Sequence, residues 1–378
     1  MPQDVTICRF ENRIKGTALA LEKPVNHLVV HQPEQLLPVL EQIMDYQKYG
    51  FWVALLLDYE LGYYLEPALA LQTTQLNYKH NHPLLSAHIF QNARITTPWQ
   101  KTDESASILK ITPEITQEKY NEDIFRIKQL INQGEVYQVN YTFNMRLKTS
   151  GKPQVLYRNI AHHHPSAYAA YIEDGPRTIL SFSPELFMQR RGNTLTCRPM
   201  KGTAPRHTDP IQDKHLAQRL YHSEKNRAEN LMIVDLMRND LHRIALPNSV
   251  QVPELFTLEA YSSVWTLTST ISAQLAPSTH FYALLQALFP CGSITGAPKI
   301  AAMCHLQQLE SRSRGLYCGS IGWLAPNGDF SFNIAIRTLV LEDQNQGYYA
   351  VGGGIVHDSV AEQEWQECFW KARLLQTY

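Results

Sequence analysis

The sequence predicts an α+β protein with sizeable antiparallel sheets. Segments rich in β-branched and aromatic residues come in groups, helical patterns stand between them at irregular intervals, and neither follows the regular βαβ rhythm that winds a parallel sheet. The 378 residues, 44% hydrophobic and 18% charged with a formal net charge of -1, supply material for a large core. That balance offers no basic face for nucleic acid.

One large domain (1–378) is expected, because no Gly/Ser linker, charge block or repeat divides the chain. The most linker-like stretch is polar and aperiodic, at about 72–112. It would separate an N-terminal part (1–110) from the remainder (111–378). From Thr116 a helix is predicted by Tyr120, Ile124, Ile127 and Ile131 on one face, ended by Gly134. Strands follow at 136–147, 167–172 and 178–182. A helix is expected to start near Ser223 and run through "AENLMIVDLMRNDL". Residues 263–275 alternate Trp265, Leu267, Ser269 and Ile271 against Val264, Thr266, Thr268 and Thr270, a half-buried strand. Short helices are predicted near 280–289 and 298–309. The chain closes with the strand "SFNIAIRTLVL", a turn at "EDQNQG", the strand "YYAVGGGIV" and a helix opened by the capping box Ser359-x-x-Glu362.

The six cysteines are scattered with no C-x-x-C pair, so neither a disulfide framework nor a zinc ribbon is expected. There is no basic-then-apolar leader and no run of about 18 apolar residues, which makes a cytoplasmic location the expectation. His162 to His164, His80 and His82 lack the spacing of metal ligands.

Several places carry chemistry. Glu364, Glu367 and Lys371 share one face of the last helix, either as a solvated charge stripe or as carboxylates for a hard divalent cation such as magnesium. Glu229, in an apolar helical stretch, is a candidate third acid. "PCGSITGAPKI" is a glycine-rich turn whose donors at Thr295, Gly296 and Ala297 could meet a carboxylate; its spacing is not that of a phosphate loop. Gly352, Gly353 and Gly354 end a strand and allow close approach of backbone to a ligand, unless they form only a tight turn. Glu185 in "SFSPELF" and Lys201 in "RPMKGTAPR" are an acid/nucleophile pair or a salt bridge. Arg337, inside an apolar strand, requires an anionic partner, and a ligand carboxylate would serve as well as a structural Asp.

Together "GEVYQVNYT", "SFSPELF", "RPMKGTAPR", "KNRAENLMIVDLMRNDL", "LFPCGSITGAPKIAAM", "RGLYCGSIGW", "IAIRT" and "VGGGIVHDSVAEQEWQE", in that order, resemble the chorismate-utilising enzymes. Within them they look most like the aminodeoxychorismate synthase component I branch. The resemblance runs from about Gly134 to the C-terminus, with a weaker likeness at 50–69. It implies two large antiparallel β-sheets packed together and wrapped by helices, with the active site between them. It implies amination of chorismate at carbon 4, with Lys201 as the nucleophile at carbon 2 and Glu185 as the general acid. Glu229, Glu364 and Glu367 would hold magnesium, Arg337 and Tyr317 the other carboxylate, and Thr295, Gly296, Gly352 to Gly354 and Lys371 would line the pocket. Members making anthranilate carry Ala where this chain has Lys201, so anthranilate synthase component I is the nearest alternative. A catalytically silent homologue that binds chorismate or regulates a glutaminase is the other. Gln138 stands where members that add water carry a lysine base, which argues against isochorismate synthesis. Thr266 and Asn226 replace a His and an acid that stands behind the metal ligands in some members. No glutaminase or lyase segment is recognised, so ammonia is expected from a separate glutaminase subunit or from solution.

Overall fold

We describe a computed structural model covering residues 6–73, 82–261, 264–343 and 345–376. His80, Ser263 and Gln344 of the predicted elements lie outside it. The first strands are β1 (Cys8–Asn12), β2 (Thr17–Val30), β3 (Trp52–Leu57), β4 (Leu85–Thr96), β5 (Ser107–Pro113) and β6 (Gln138–Ser150). Next come β7 (Tyr168–Asp174), β8 (Arg177–Ser183), β9 (Leu186–Arg191), β10 (Thr194–Arg198), β11 (Met200–Pro205) and β12 (Gln251–Ala260). The last are β13 (Val264–Gln274), β14 (Gly296–Ala297), β15 (Ser320–Leu324), β16 (Phe330–Ile334), β17 (Thr338–Leu341) and β18 (Gln346–Ile355). The helices are α1 (Leu36–Lys48), α2 (Leu61–Leu65), α3 (Pro67–Thr73), α4 (Gln117–Asn132) and α5 (Pro153–His163). They continue with α6 (Pro210–His222), α7 (Glu224–His242), α8 (Phe281–Leu288), α9 (Lys299–Leu309) and α10 (Ala361–Lys371).

Every strand pairing is antiparallel, and the pairings form one unbroken path: β5, β6, β18, β17, β8, β7, β1, β2, β4, β3, β15, β16, β9, β10, β13, β12. β11 also pairs with β13, and β14 with β6. The two expected sheets are therefore joined, through β1 to β4, into a single hydrogen-bonded sheet that folds back on itself as two layers.

The period-2 alternation of strand side chains divides the core accordingly. In β3, Ala54 and Leu56 face an inner cluster with Ile172, Ile179, Val340 and Tyr348 from the opposite layer. Val53, Leu55 and Leu57 face outward, with Leu40, Ile233 and Leu284 of α1, α7 and α8. On the other layer, Tyr141, Leu180 and Phe182 pack against Ile124, Ile160 and Trp365 of α4, α5 and α10. Each such side chain, fully buried, contributes roughly 1.5–3 kcal/mol.

Local signals behave largely as expected. Thr116 caps α4 by accepting from Lys119 N–H, and Ser223 caps α7 by accepting from Asn226 N–H. Four expectations are corrected. The stretch read as a linker contains β4 and β5, and β4 sits between β2 and β3. Ser359 does not form a capping box: Val360 is the N-cap of α10, and the Ser359 hydroxyl donates to Glu364 at 2.7 Å. Residues 330–341 form two strands, broken at Ala335–Arg337. β13 is buried on both faces near its middle, Thr266 and Thr268 included, because helix α7 and the neighbouring strands cover it.

A buried ionic network ties the parts together. Arg314 donates to both oxygens of Glu310 and to the carbonyls of Ile294 and Asn140. Glu60, from the N-terminal part, accepts the backbone N–H groups of Arg314 and Gly315.

Candidate active site

Two crossings of the chain from one layer to the other create the site. β8 passes to β9 through Pro184–Glu185, and β16 passes to β17 through Ala335–Arg337. The crossings are bonded side by side: Ile334 N–H donates to Glu185 O at 3.1 Å, and Phe182 N–H to Arg337 O at 3.0 Å. Arg337 turns in the left-handed region at φ 50, an unfavourable conformation for a residue with a side chain. Beside these crossings lies a cavity of about 400 Å³.

Glu185, Lys201, Tyr317, Arg337, Gly352 and Gly354 line that cavity, as do Glu229 from α7 and Glu364, Glu367 and Lys371 from α10. Most residues singled out in the sequence are thus brought together from seven separate places in the chain: β11, β18, α7, α10, the two crossings and the segment before β15. Thr295, Gly296 and Gly353 do not line it. Thr295 is fully buried and its hydroxyl donates to Cys291 O, while its N–H donates to Gly292 O. Gly296 and Ala297 pair with β6, and Pro298 is the N-cap of α9, so these residues stand behind the cavity wall, which Ser293 and Ile294 of the same turn line. Gly353 backs onto α10, where an added Cβ would stand 3.2 Å from Glu364 Oε2.

The two central groups have complementary environments. Glu185 is 4% exposed, and its Oε1 accepts from Ser293 Oγ at 3.0 Å and Met200 N–H at 3.3 Å. Burial outweighs these bonds and pushes its pKa up to about 7, so the carboxyl holds a proton near neutrality. Lys201 is half-buried, and among the described residues no hydrogen bond or ion pair engages its amine. Desolvation lowers its pKa, with Lys371 adding to the effect, against the opposing pull of Glu229, Glu185 and Glu367. The amine rests against Gly354, where any Cβ would lie 2.8 Å from both Lys201 Nζ and Gln138 Nε2. Both amide atoms of Gln138 are buried without a partner among the described residues.

Lys371 pairs with Glu367 at 2.8 Å and donates to Gly352 O at 2.7 Å. Burial alone would depress the Lys371 ammonium, yet Glu367, Cys368 and Glu364 raise it. The Lys371 charge holds Glu367 below the usual carboxylate range, while burial raises Glu364. The Arg337 side chain has no hydrogen-bond or ion-pair partner among the described residues, which leaves a guanidinium free for an anion.

The three acids are oxygen donors of the kind magnesium takes. They do not form a tight trio: among the described residues, the only group of three His/Cys/Asp/Glu residues with ligand atoms all within 4.8 Å of one another is His27, His88 and Asp174, outside this cavity. Thr266 and Asn226 meet at Gly202, beside Lys201. Thr266 Oγ1 donates to Gly202 O at 3.1 Å, and Asn226 holds Ser223 rather than a carboxylate. Sequence reasoning missed Ser293, which holds Glu185, and Lys225, which lines the cavity; a serine inside "CGSITG" was the only signal for the first.

These features define an enzyme-like cavity in a folded-back antiparallel sheet, with an acid, an unpaired amine and a carboxylate-rich helix. The chain belongs to the chorismate binding enzyme family, which it matches over residues 21–377. It is 42% identical over 278 residues to aminodeoxychorismate synthase component 1 of Salmonella typhimurium, covering 74% of this chain and 58% of that protein. Anthranilate synthase component 1 of Aquifex aeolicus is 36% identical over 260 residues, covering 69% of this chain and 52% of that one. The chain thus matches a little over half the length of these relatives. The structure of anthranilate synthase component I from Streptococcus pneumoniae superposes with a TM-score of 0.81 at 25% identity, covering 97% of this chain and 91% of that one. An isochorismate synthase of Bacillus anthracis shares the fold, with a TM-score of 0.78 at 22% identity, covering 98% and 95%. No helix among the described residues is long and apolar enough to cross a membrane.

Proposed function

We propose that the chain aminates chorismate at ring carbon 4, giving 4-amino-4-deoxychorismate, with ammonia from a separate glutaminase subunit or from solution. The observation that carries this reading is the unpaired Lys201 amine, with its lowered pKa, facing the same cavity as a Glu185 that keeps its proton near neutrality. An amine nucleophile must be partly unprotonated and a general acid protonated, and both conditions are favoured here.

The Lys201 nitrogen bonds to carbon 2, the ring double bonds shift, and the carbon 4–oxygen bond breaks. Glu185 gives its proton to the departing hydroxyl, which leaves as water. Ammonia then bonds to carbon 4, the double bonds shift back, and the carbon 2–nitrogen bond breaks to release Lys201. The proton shed by the incoming nitrogen returns the Glu185/Lys201 pair to its starting state. Chorismate and ammonia become the amino product and water. Arg337 and Tyr317 hold one substrate carboxylate, and the glycines at 352 and 354 let the ring approach the backbone. A magnesium ion, when bound through Glu229, Glu364 and Glu367, supplies neutralising charge for the ring carboxylate.

The test is to incubate the chain with chorismate, magnesium and concentrated ammonium at mildly basic pH, with and without Lys201→Ala, and identify products by mass spectrometry and fluorescence. Aminodeoxychorismate that disappears in the variant is the expected result. Anthranilate as the product would assign the chain to the alternative reaction. Tight chorismate binding with no turnover, in the presence of a glutaminase partner, would mark a silent homologue.

A further inference from the structure

We infer that His27, His88 and Asp174, none of which lines the active-site cavity, form a binding site for a late first-row divalent metal, with zinc the expected ion. Strand register builds it. His27 of β2 stands directly opposite His88 of β4, and their rings stack at 4.0 Å with planes 9° apart. Ser86 lies two residues before His88 and so projects from the same face. Asp174 arrives from the end of β7.

The Nε2 atoms of both histidines converge on one oxygen. Asp174 Oδ1 lies 2.9 Å from His88 Nε2 and 3.4 Å from His27 Nε2. Ser86 Oγ is 2.7 Å from His27 Nε2 and 2.5 Å from Asp174 Oδ1. Ligands about 2.0–2.1 Å from a shared ion stand roughly 2.9–3.4 Å apart at octahedral to tetrahedral angles, so both His–Asp distances suit a common metal, which a turn of the more exposed His27 ring out of the stack would let both Nε2 lone pairs reach. The other carboxylate oxygen is fixed by Arg177 Nε at 2.6 Å, which aims Oδ1 at the imidazoles. Asp58 stands 3.7 Å from the same guanidinium and offsets its charge.

The donor set selects the metal class. Two imidazoles and a single carboxylate oxygen suit zinc, nickel, cobalt or ferrous iron, whereas magnesium prefers oxygen alone. The His27 side chain is 38% exposed while those of His88 and Asp174 are 5% and 3% exposed, giving a site with one open side. Bound metal would clamp the β2–β4 pair to the β7–β8 hairpin.

The test uses the full chain, stripped with a chelator and titrated with zinc chloride by calorimetry and with cobalt chloride by absorbance, beside His27→Ala. His27 is chosen because its exposure makes the variant fold. One equivalent bound with a dissociation constant below about 10 μM, weakened at least about tenfold in His27→Ala, is expected. The cobalt spectrum should lack a thiolate charge-transfer band, which separates this site from the cysteines. Binding weaker than that, binding unaffected by His27→Ala, or a thiolate band would overturn the proposal and leave a hydrogen-bonded polar cluster. Retained zinc binding in Glu364→Gln is expected, since none of the three residues lines the catalytic cavity.

Discussion

Replacing Glu185 with glutamine should stabilise the protein while destroying its turnover. The folded-state pKa of about 7 stands about 2.5 pH units above the ordinary 4.5, because burial disfavours the charged form. For a raised pKa the group's favourable contribution is complete below 4.5 and is lost as pH climbs through 7. At roughly 1.4 kcal/mol for each pH unit, the ionised wild type at pH 8 forgoes about 3 kcal/mol that the neutral amide does not. The amide oxygen introduced by Glu185→Gln would still accept from Ser293 and Met200, so little else changes. With unfolding entropy of about 2.1 cal/mol/K per residue over 378 residues, the gain in Tm is about 4 °C. Thermal melts across pH 4.5–8 read it directly. The variant's advantage should be largest at pH 8 and fall below about 1 kcal/mol at pH 5. An advantage that is absent at pH 8, or the same at every pH, would refute a buried carboxyl with a raised pKa. Turnover should fall by about 10²–10⁴, as for loss of a general acid.

Other substitutions probe neighbouring parts. Gly354→Ala should displace the Lys201 amine from its 2.8 Å neighbourhood and cut kcat at least about tenfold, with an unchanged circular dichroism spectrum. Arg337→Met should raise the KM for chorismate more than it lowers kcat, since it removes a grip on a carboxylate. Glu364→Gln should shift the magnesium requirement upward by about tenfold or more in a titration of activity. Arg314→Met leaves Glu310 buried without its guanidinium and should cost about 3–5 kcal/mol in urea denaturation.

The helices were legible because their signals are local. Thr116 and Ser223 cap through donors three residues away, and the α4 apolar face has a helical period. The acid face of α10 and the need of Arg337 for an anion were legible for the same reason. β4 was not. Its buried half, "LSAHIF", carries Ser86 and His88, whose partner Asp174 is more than eighty residues away in sequence. A strand whose buried polar atoms are satisfied from so far off looks like a loop in any short window. The break at Arg337 is a matter of one backbone angle, which residue type does not announce. Ser359 kept the spacing of a cap, but its oxygen accepts from Val356 N–H and its hydroxyl donates to Glu364, and Thr295 turned inward to Cys291 where the glycines around it suggested a cradle.

The position of β1 to β4 in the sheet path limits how the chain can be trimmed or redesigned. They lie between β7 and β15, both of which come from residues beyond 111. Cutting them away would not shorten the sheet at one end; it would open it in the middle. Two new edges, on β7 and β15, would each carry a row of unpaired N–H and C=O groups, and the apolar side chains of α7 and α8 that packed on Val53, Leu55 and Leu57 would be uncovered. A fragment of residues 97–378, which keeps β5 whole, should therefore associate with itself or precipitate, and swapping the N-terminal segment between relatives requires matching both edges at once.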